Sequence, residues 1–216
     1  MTAQDEAFRH CEALVRAHDR DRYLASLFAP APARRHLFAL YAFDYETARV
    51  RDVVREPMAG AIRLQWWREV VEGERPGEAA ASPVAAAITA TLAETGIDRA
   101  PLLGMIEARR AALFGEPANP VAPKVFLAAA LLLGSTDGAT MAAADDAGLA
   151  WGAPPEEARA AYARFRARAG GLPDGVLPAF LPVALVPLRL RKPDAPAWRR
   201  QLVLLRAAYF GFAKID

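Results

Sequence analysis

Cysteine is nearly absent: Cys11 stands alone, so no disulfide forms within the chain and a reducing compartment is expected. Histidine is scarce as well. His10, His18 and His36 form no HxxxH or HxxE pair, and local spacing therefore supplies no zinc site. Long apolar runs are missing. The longest, residues 125–134, has about half the length a bilayer-spanning helix needs. The opening "MTAQDEAFRHCEALV" places two acids before its first basic residue, unlike a signal peptide. An excess of charge of either sign is also missing. With 27 Lys and Arg against 25 Asp and Glu, no bulk field draws nucleic acid to the chain. GxGxxG, GxxxxGK[ST] and GxSxG do not occur. These absences predict a soluble, cytoplasmic protein, at most peripheral on the inner face of a membrane.

What remains points to helix. Hydrophobic residues make up 54% of the sequence with alanine far ahead, and Val, Ile and Thr are too sparse for a sheet-rich protein. Apolar residues recur at helical spacing almost throughout, as in Ala7, Phe8, Cys11, Leu14 and Val15 of an expected helix over 3–17. A short helix in "DRDRYLASLFAP" stops at Pro30. A long one is expected over 33–55 and another over 58–72, opened by Pro57. "EGERPGEAAASP" reads as a polar loop. Further helices are expected at 83–95, 99–114, 121–134, 139–151 and 155–169. Prolines 173, 178, 182 and 187 predict short kinked segments over 168–195, before a last helix over 196–212 capped by Asp194. One all-α domain over 1–216 follows.

Three stretches could carry chemistry. In "YAFDYETARVRD" a helical wheel puts Tyr41, Asp44, Tyr45, Ala48 and Asp52 on one face, which is either solvated or the wall of a polar cavity. Magnesium bridging a diphosphate wants carboxylates one helical turn apart. The only such pair here is Asp52 with Glu56, with Arg49, Arg51 and Arg55 close by. Those arginines allow either plain ion pairing or direct binding of an anionic head group without metal. In "AIRLQWWREVVEG", apolar residues all round predict a buried helix; Trp66 and Trp67 read as core, and Arg63 among them requires a carboxylate such as Glu46 or Asp52. In "VPLRLRKPDAPAWRRQLVLLRAAYFGF", Arg191, Lys192, Arg199 and Arg200 flank apolar residues. That pattern fits either an anionic membrane surface or a solvated helix face. Asp145 and Asp146 diverge on a helix and read as exposed acids.

"RYLASLFAP", "LYAFDYETARVRD" and "IRLQWWREVVEG", in this order, resemble the squalene/phytoene synthase family, and "IEARRAALFGEP", "AGLAWG" and "PAFLPVAL" continue the match. The resemblance implies an all-α isoprenoid-synthase fold, here shortened toward the C-terminal half. In active members two aspartate-rich helices hold magnesium against prenyl diphosphates. This sequence departs from that pattern: the leading pair of the first motif falls on Ala48 and Arg49, leaving Asp52, and the region of the second motif after "AGLAWG" is cut short. "CEALVRAHDRDRYLASLFAP" looks more like the family's non-catalytic subgroup of mitochondrial complex I assembly factors. Glu46, Arg63, Gln65 and Trp66 match that subgroup, whereas Tyr41 looks more like the enzymes. The resemblance thus implies an assembly factor or scaffold that holds a lipid or prenyl ligand, helps a respiratory complex assemble at the membrane surface, and needs no cofactor. No catalytic residue is assigned. The alternative is an active head-to-head prenyl diphosphate synthase using magnesium at Asp52 and Glu56.

Overall fold

Proline placement explains much of the helix layout, because the first helical N–H lacks a partner in any case. In the computed structural model, which describes residues 2–117 and 120–212, Pro57, Pro76, Pro83 and Pro155 each open a helix. Side-chain caps start others. Thr2 accepts from the Asp5 amide at 3.1 Å while Asp5 accepts from the Thr2 amide at 2.9 Å. Asp19 and Asp137 cap the second and ninth helices.

The chain order is α1 (Ala3–His18), α2 (Arg20–Ser26), α3 (Ala31–Val53), α4 (Pro57–Glu72), α5 (Pro76–Ala81), α6 (Pro83–Thr95), α7 (Ala100–Leu113), α8 (Val121–Leu132), α9 (Gly138–Gly152) and α10 (Pro155–Ala169). A 3-10 turn at Asp174–Val176, α11 (Leu177–Phe180), a second 3-10 turn at Leu181–Leu185 and α12 (Val186–Arg191) make up the proline-rich stretch; α13 (Ala197–Phe210) follows. No strand occurs among the described residues. Nor is any helix among them long and apolar enough to cross a membrane.

Three elements differ from expectation. The polar loop contains α5, because Pro76 starts a turn that an alanine run then carries. The long third helix ends at Val53, and both Val54 and Glu56 have extended backbone. Asp194 caps nothing: it is exposed, and α13 begins after Pro196 with no side-chain cap.

α3 is the axis of the fold. It packs against α1, α2, α4, α6, α7 and α8, so residues 36–43 are buried on every side. Phe43 meets Trp67 edge-on at 5.4 Å, and Cys11 of α1 is fully buried. One connected apolar core runs from Ala7 in α1 to Phe212 beyond α13. α8 and α9 approach closely at Gly148, where an added Cβ would lie 2.1 Å from the backbone nitrogen of Pro123.

His36 on α3 is buried, with Nδ1 3.1 Å from the Thr91 hydroxyl and Nε2 3.6 Å from Glu94. Burial, then the Arg35 charge, holds its pKa below the ordinary value, against the pull of Glu94. The folded state therefore favours the neutral ring. Its contribution to stability is complete above the unfolded value of about 6.5 and is lost as pH falls through the folded value. Urea midpoints should decline as pH drops below about 6.5, and His36→Gln should flatten that decline.

Candidate functional site

Asp44 lies at the middle of the axial helix, where α2 and α7 bring two arginines to it. Arg22 Nη1 donates to Asp44 Oδ2 at 2.5 Å, and Arg109 Nη2 donates to Asp44 Oδ1. Arg109 also donates to the Thr47 hydroxyl, which itself donates to the Phe43 carbonyl at 2.6 Å. Arg22 Nε pairs with Asp19 at 3.3 Å, and its guanidinium lies 5.1 Å from the Tyr41 ring centre and 6.0 Å from that of Trp151. Burial alone would raise the Asp44 pKa, yet Arg22 and Arg109 together hold it below the ordinary carboxylate value. Burial opposes the charge on Arg22, but Asp44 and Asp19 keep its pKa above normal. Burial also pushes the Tyr41 phenol upward. Both carboxylate oxygens of Asp44 are engaged.

The expected single wall therefore divides. Tyr41, only 3% exposed, and Asp44 point into this ionic cluster. Tyr45 is half-buried and stacks on His18 at 4.5 Å, with Arg49 5.4 Å from its ring centre. Glu46 pairs with Arg49 at 3.3 Å. Those two line a cleft of about 310 Å³ between α3 and α4 with Val53, Arg63 and Trp66. The division runs along α3: residues 36–43 are enclosed by neighbouring helices, whereas Ala48, Arg49 and Asp52 are exposed near its C-terminal end, so one wheel face passes from core to solvent.

α4 is not buried all round. It packs on α3, α6 and α7, and leaves Ile62 66% exposed. Arg63 is exposed on that open side, so it needs no buried partner, and neither Glu46 nor Asp52 bonds to it. Trp67 is core; Trp66 is half-buried and donates its indole N–H to Glu78 at 2.8 Å. Gln65 donates to Glu69 at 3.0 Å.

Asp52 and Glu56 do not make a magnesium site. The i, i+4 geometry requires a continuous helix, but α3 stops at Val53 and Glu56 is extended at the start of α4. Both acids are exposed. Among the described residues, no three His, Cys, Asp or Glu side chains converge as metal ligands. The donor set does not fit the ion.

Asp146 is not the exposed acid its position beside Asp145 predicts. It is buried and takes Arg164 at 2.7 Å and Arg168 at 2.9 Å from α10, while Asp145 stays exposed. Of the basic C-terminal candidates, Arg191, Lys192 and Arg199 are exposed, and Arg199 lies over the Trp198 ring at 5.4 Å. Arg200 instead turns inward to Asp21 at 3.4 Å, in a pair that is ionic rather than hydrogen-bonded. Sequence reasoning missed Arg22 and Arg109. One signal was available: Asp44 directly follows the apolar run 37–43, and an acid carried into the core on such a helix calls for a cation from another element.

The family model described as squalene/phytoene synthase matches residues 15–153. The chain belongs to the squalene/phytoene synthase family. A crystal structure of a dehydrosqualene synthase with ligand superposes with a TM-score of 0.59 at 14% identity, covering 94% of this chain and 95% of that one. That likeness establishes the isoprenoid-synthase helical fold. Human NADH dehydrogenase (ubiquinone) complex I, assembly factor 6 is 44% identical over 63 residues, 29% of this chain and 19% of that protein. The homologous protein of Drosophila melanogaster is 37% identical over 65 residues, 30% of this chain and 20% of its own length. These matches span well under two thirds of the curated relatives.

Proposed function

We propose that this chain is a family member without prenyltransferase activity, acting at a membrane surface as an assembly factor that serves a respiratory complex. The observation that carries this reading is the state of α3. Its central acid, Asp44, is saturated by Arg22 and Arg109, and the leading positions of the first aspartate-rich motif are Ala48 and Arg49. Among the described residues no cluster of carboxylates converges to hold magnesium against a departing diphosphate, and arginines balance its charge without positioning the metal. The similarity to complex I assembly factors from human and fly supports the same direction. The cleft at Arg49 and Arg63 offers two guanidinium groups to an anionic head group, and a lipid or isoprenoid is its proposed occupant.

Purified protein incubated with farnesyl or geranylgeranyl diphosphate and magnesium is expected to release no pyrophosphate above background. Release that disappears in Asp52→Ala would overturn the reading and establish the synthase. Removing the chain from its host should lower the amount of assembled respiratory complex while leaving isoprenoid products unchanged.

A further inference from the structure

α13 leaves one face open. Trp198 is 58% exposed, Leu202 56% and Tyr209 77%, and Leu205 is exposed on the same stripe. The spacing of 198, 202, 205 and 209 aligns them along one side of the helix. Leu27 and Phe28, exposed at the end of α2, extend the surface, and a shallow apolar groove lined by Leu24, Phe28, Leu204 and Leu205 joins the two elements. Solitary exposed apolar residues are ordinary; an aligned set continuous with a second element marks a contact surface.

The charges decide what covers it. Residues 22–43 and 195–212 contain no acid. Arg199 and Arg206 are exposed on α13, and Arg34 donates to the carbonyls of Leu27 and Ala29 at 3.0 and 3.1 Å, placing a cation beside the apolar surface. A second copy docking through the same face would press like charges together. An anionic bilayer matches both the cations and the apolar stripe, and Trp198 and Tyr209 belong to the residue types that favour the lipid headgroup region.

We propose that the outward face of α13, with the end of α2, is the surface on which this protein lies on an anionic bilayer, its apolar stripe entering the headgroup boundary. This rests on the membrane-surface part of the proposed function and assigns it to residues. Arg200 contributes little, because Asp21 already holds it.

The test floats the full chain with phosphatidylcholine vesicles with and without phosphatidylglycerol. The wild type should bind the anionic vesicles, more weakly at high salt. Leu202→Gln combined with Tyr209→Ser should weaken binding about tenfold or more, and Arg199→Gln with Arg206→Gln about tenfold. A gentler variant guards against misfolding: tryptophan quenching by brominated lipid should largely vanish in Trp198→Phe, which keeps its apolar body, since Trp66 and Trp67 are on α4 and Trp151 on α9. Full binding by the paired variants together with unchanged quenching in Trp198→Phe would overturn the assignment and leave the membrane reading intact. No binding by the wild type would overturn both. A dimer in solution that Leu202→Gln dissociates would give the face to a second copy and also overturn it.

Discussion

Asp44→Asn should unfold in a thermal melt about 10 °C below the wild type, corresponding to a loss of about 3–5 kcal/mol. The side chain is isosteric, so packing barely changes. What changes is charge: Arg22 and Arg109 remain in the interior with no carboxylate between them. Removing one partner of a buried ionic group is costly because the others cannot regain their water. The wild type should also lose stability in acid. The pKa of Asp44 is depressed in the fold, so its contribution is present above the unfolded value of about 3.9 and disappears as pH falls through the lower folded value. Asp44→Asn should lack this part of the acid transition. A shift below about 1 kcal/mol would show that water reaches the two guanidiniums and that the cluster behaves like a surface pair.

Gly148→Ala should destabilise the protein by about 3 kcal/mol, although alanine ordinarily improves a helix interior by about 1 kcal/mol. Its Cβ would overlap the nitrogen and Cα of Pro123, at 2.1 and 2.3 Å, and neither atom can rotate away. α8 and α9 would have to separate. Gly104→Ala provides the comparison: its Cβ would meet the Lys124 side chain at 2.8 Å, and a flexible lysine moves aside. Urea unfolding of the two variants should give opposite signs. Equal effects would mean that helix propensity governs both positions.

Most helices were readable because their signals are local. Proline at the first helical position and apolar spacing each act within a turn or two. The end of α3 was less readable, since the break before Pro57 begins at Val54, several residues ahead of the proline that announces it. The site was harder for a different reason. Asp44 and Arg109 are separated by 65 positions, and no periodicity reports a contact of that range. The same limit applied to Asp146, whose partners belong to the next helix, and to Arg63, whose exposure depends on which sides of α4 its neighbours cover. That positions 48 and 49 carry Ala and Arg needed no structure, because it is a matter of residue identity.

The buried thiol of α1 gives the molecule a built-in chemical clock. Burial pushes Cys11 up to about 12, so alkylating reagents meet a protonated, shielded sulfur until α1 detaches. With no competing thiol in the chain, alkylation in native buffer reports exposure of this one sulfur, as the open fraction when reclosing outpaces the reagent and as the opening rate when the reagent is faster.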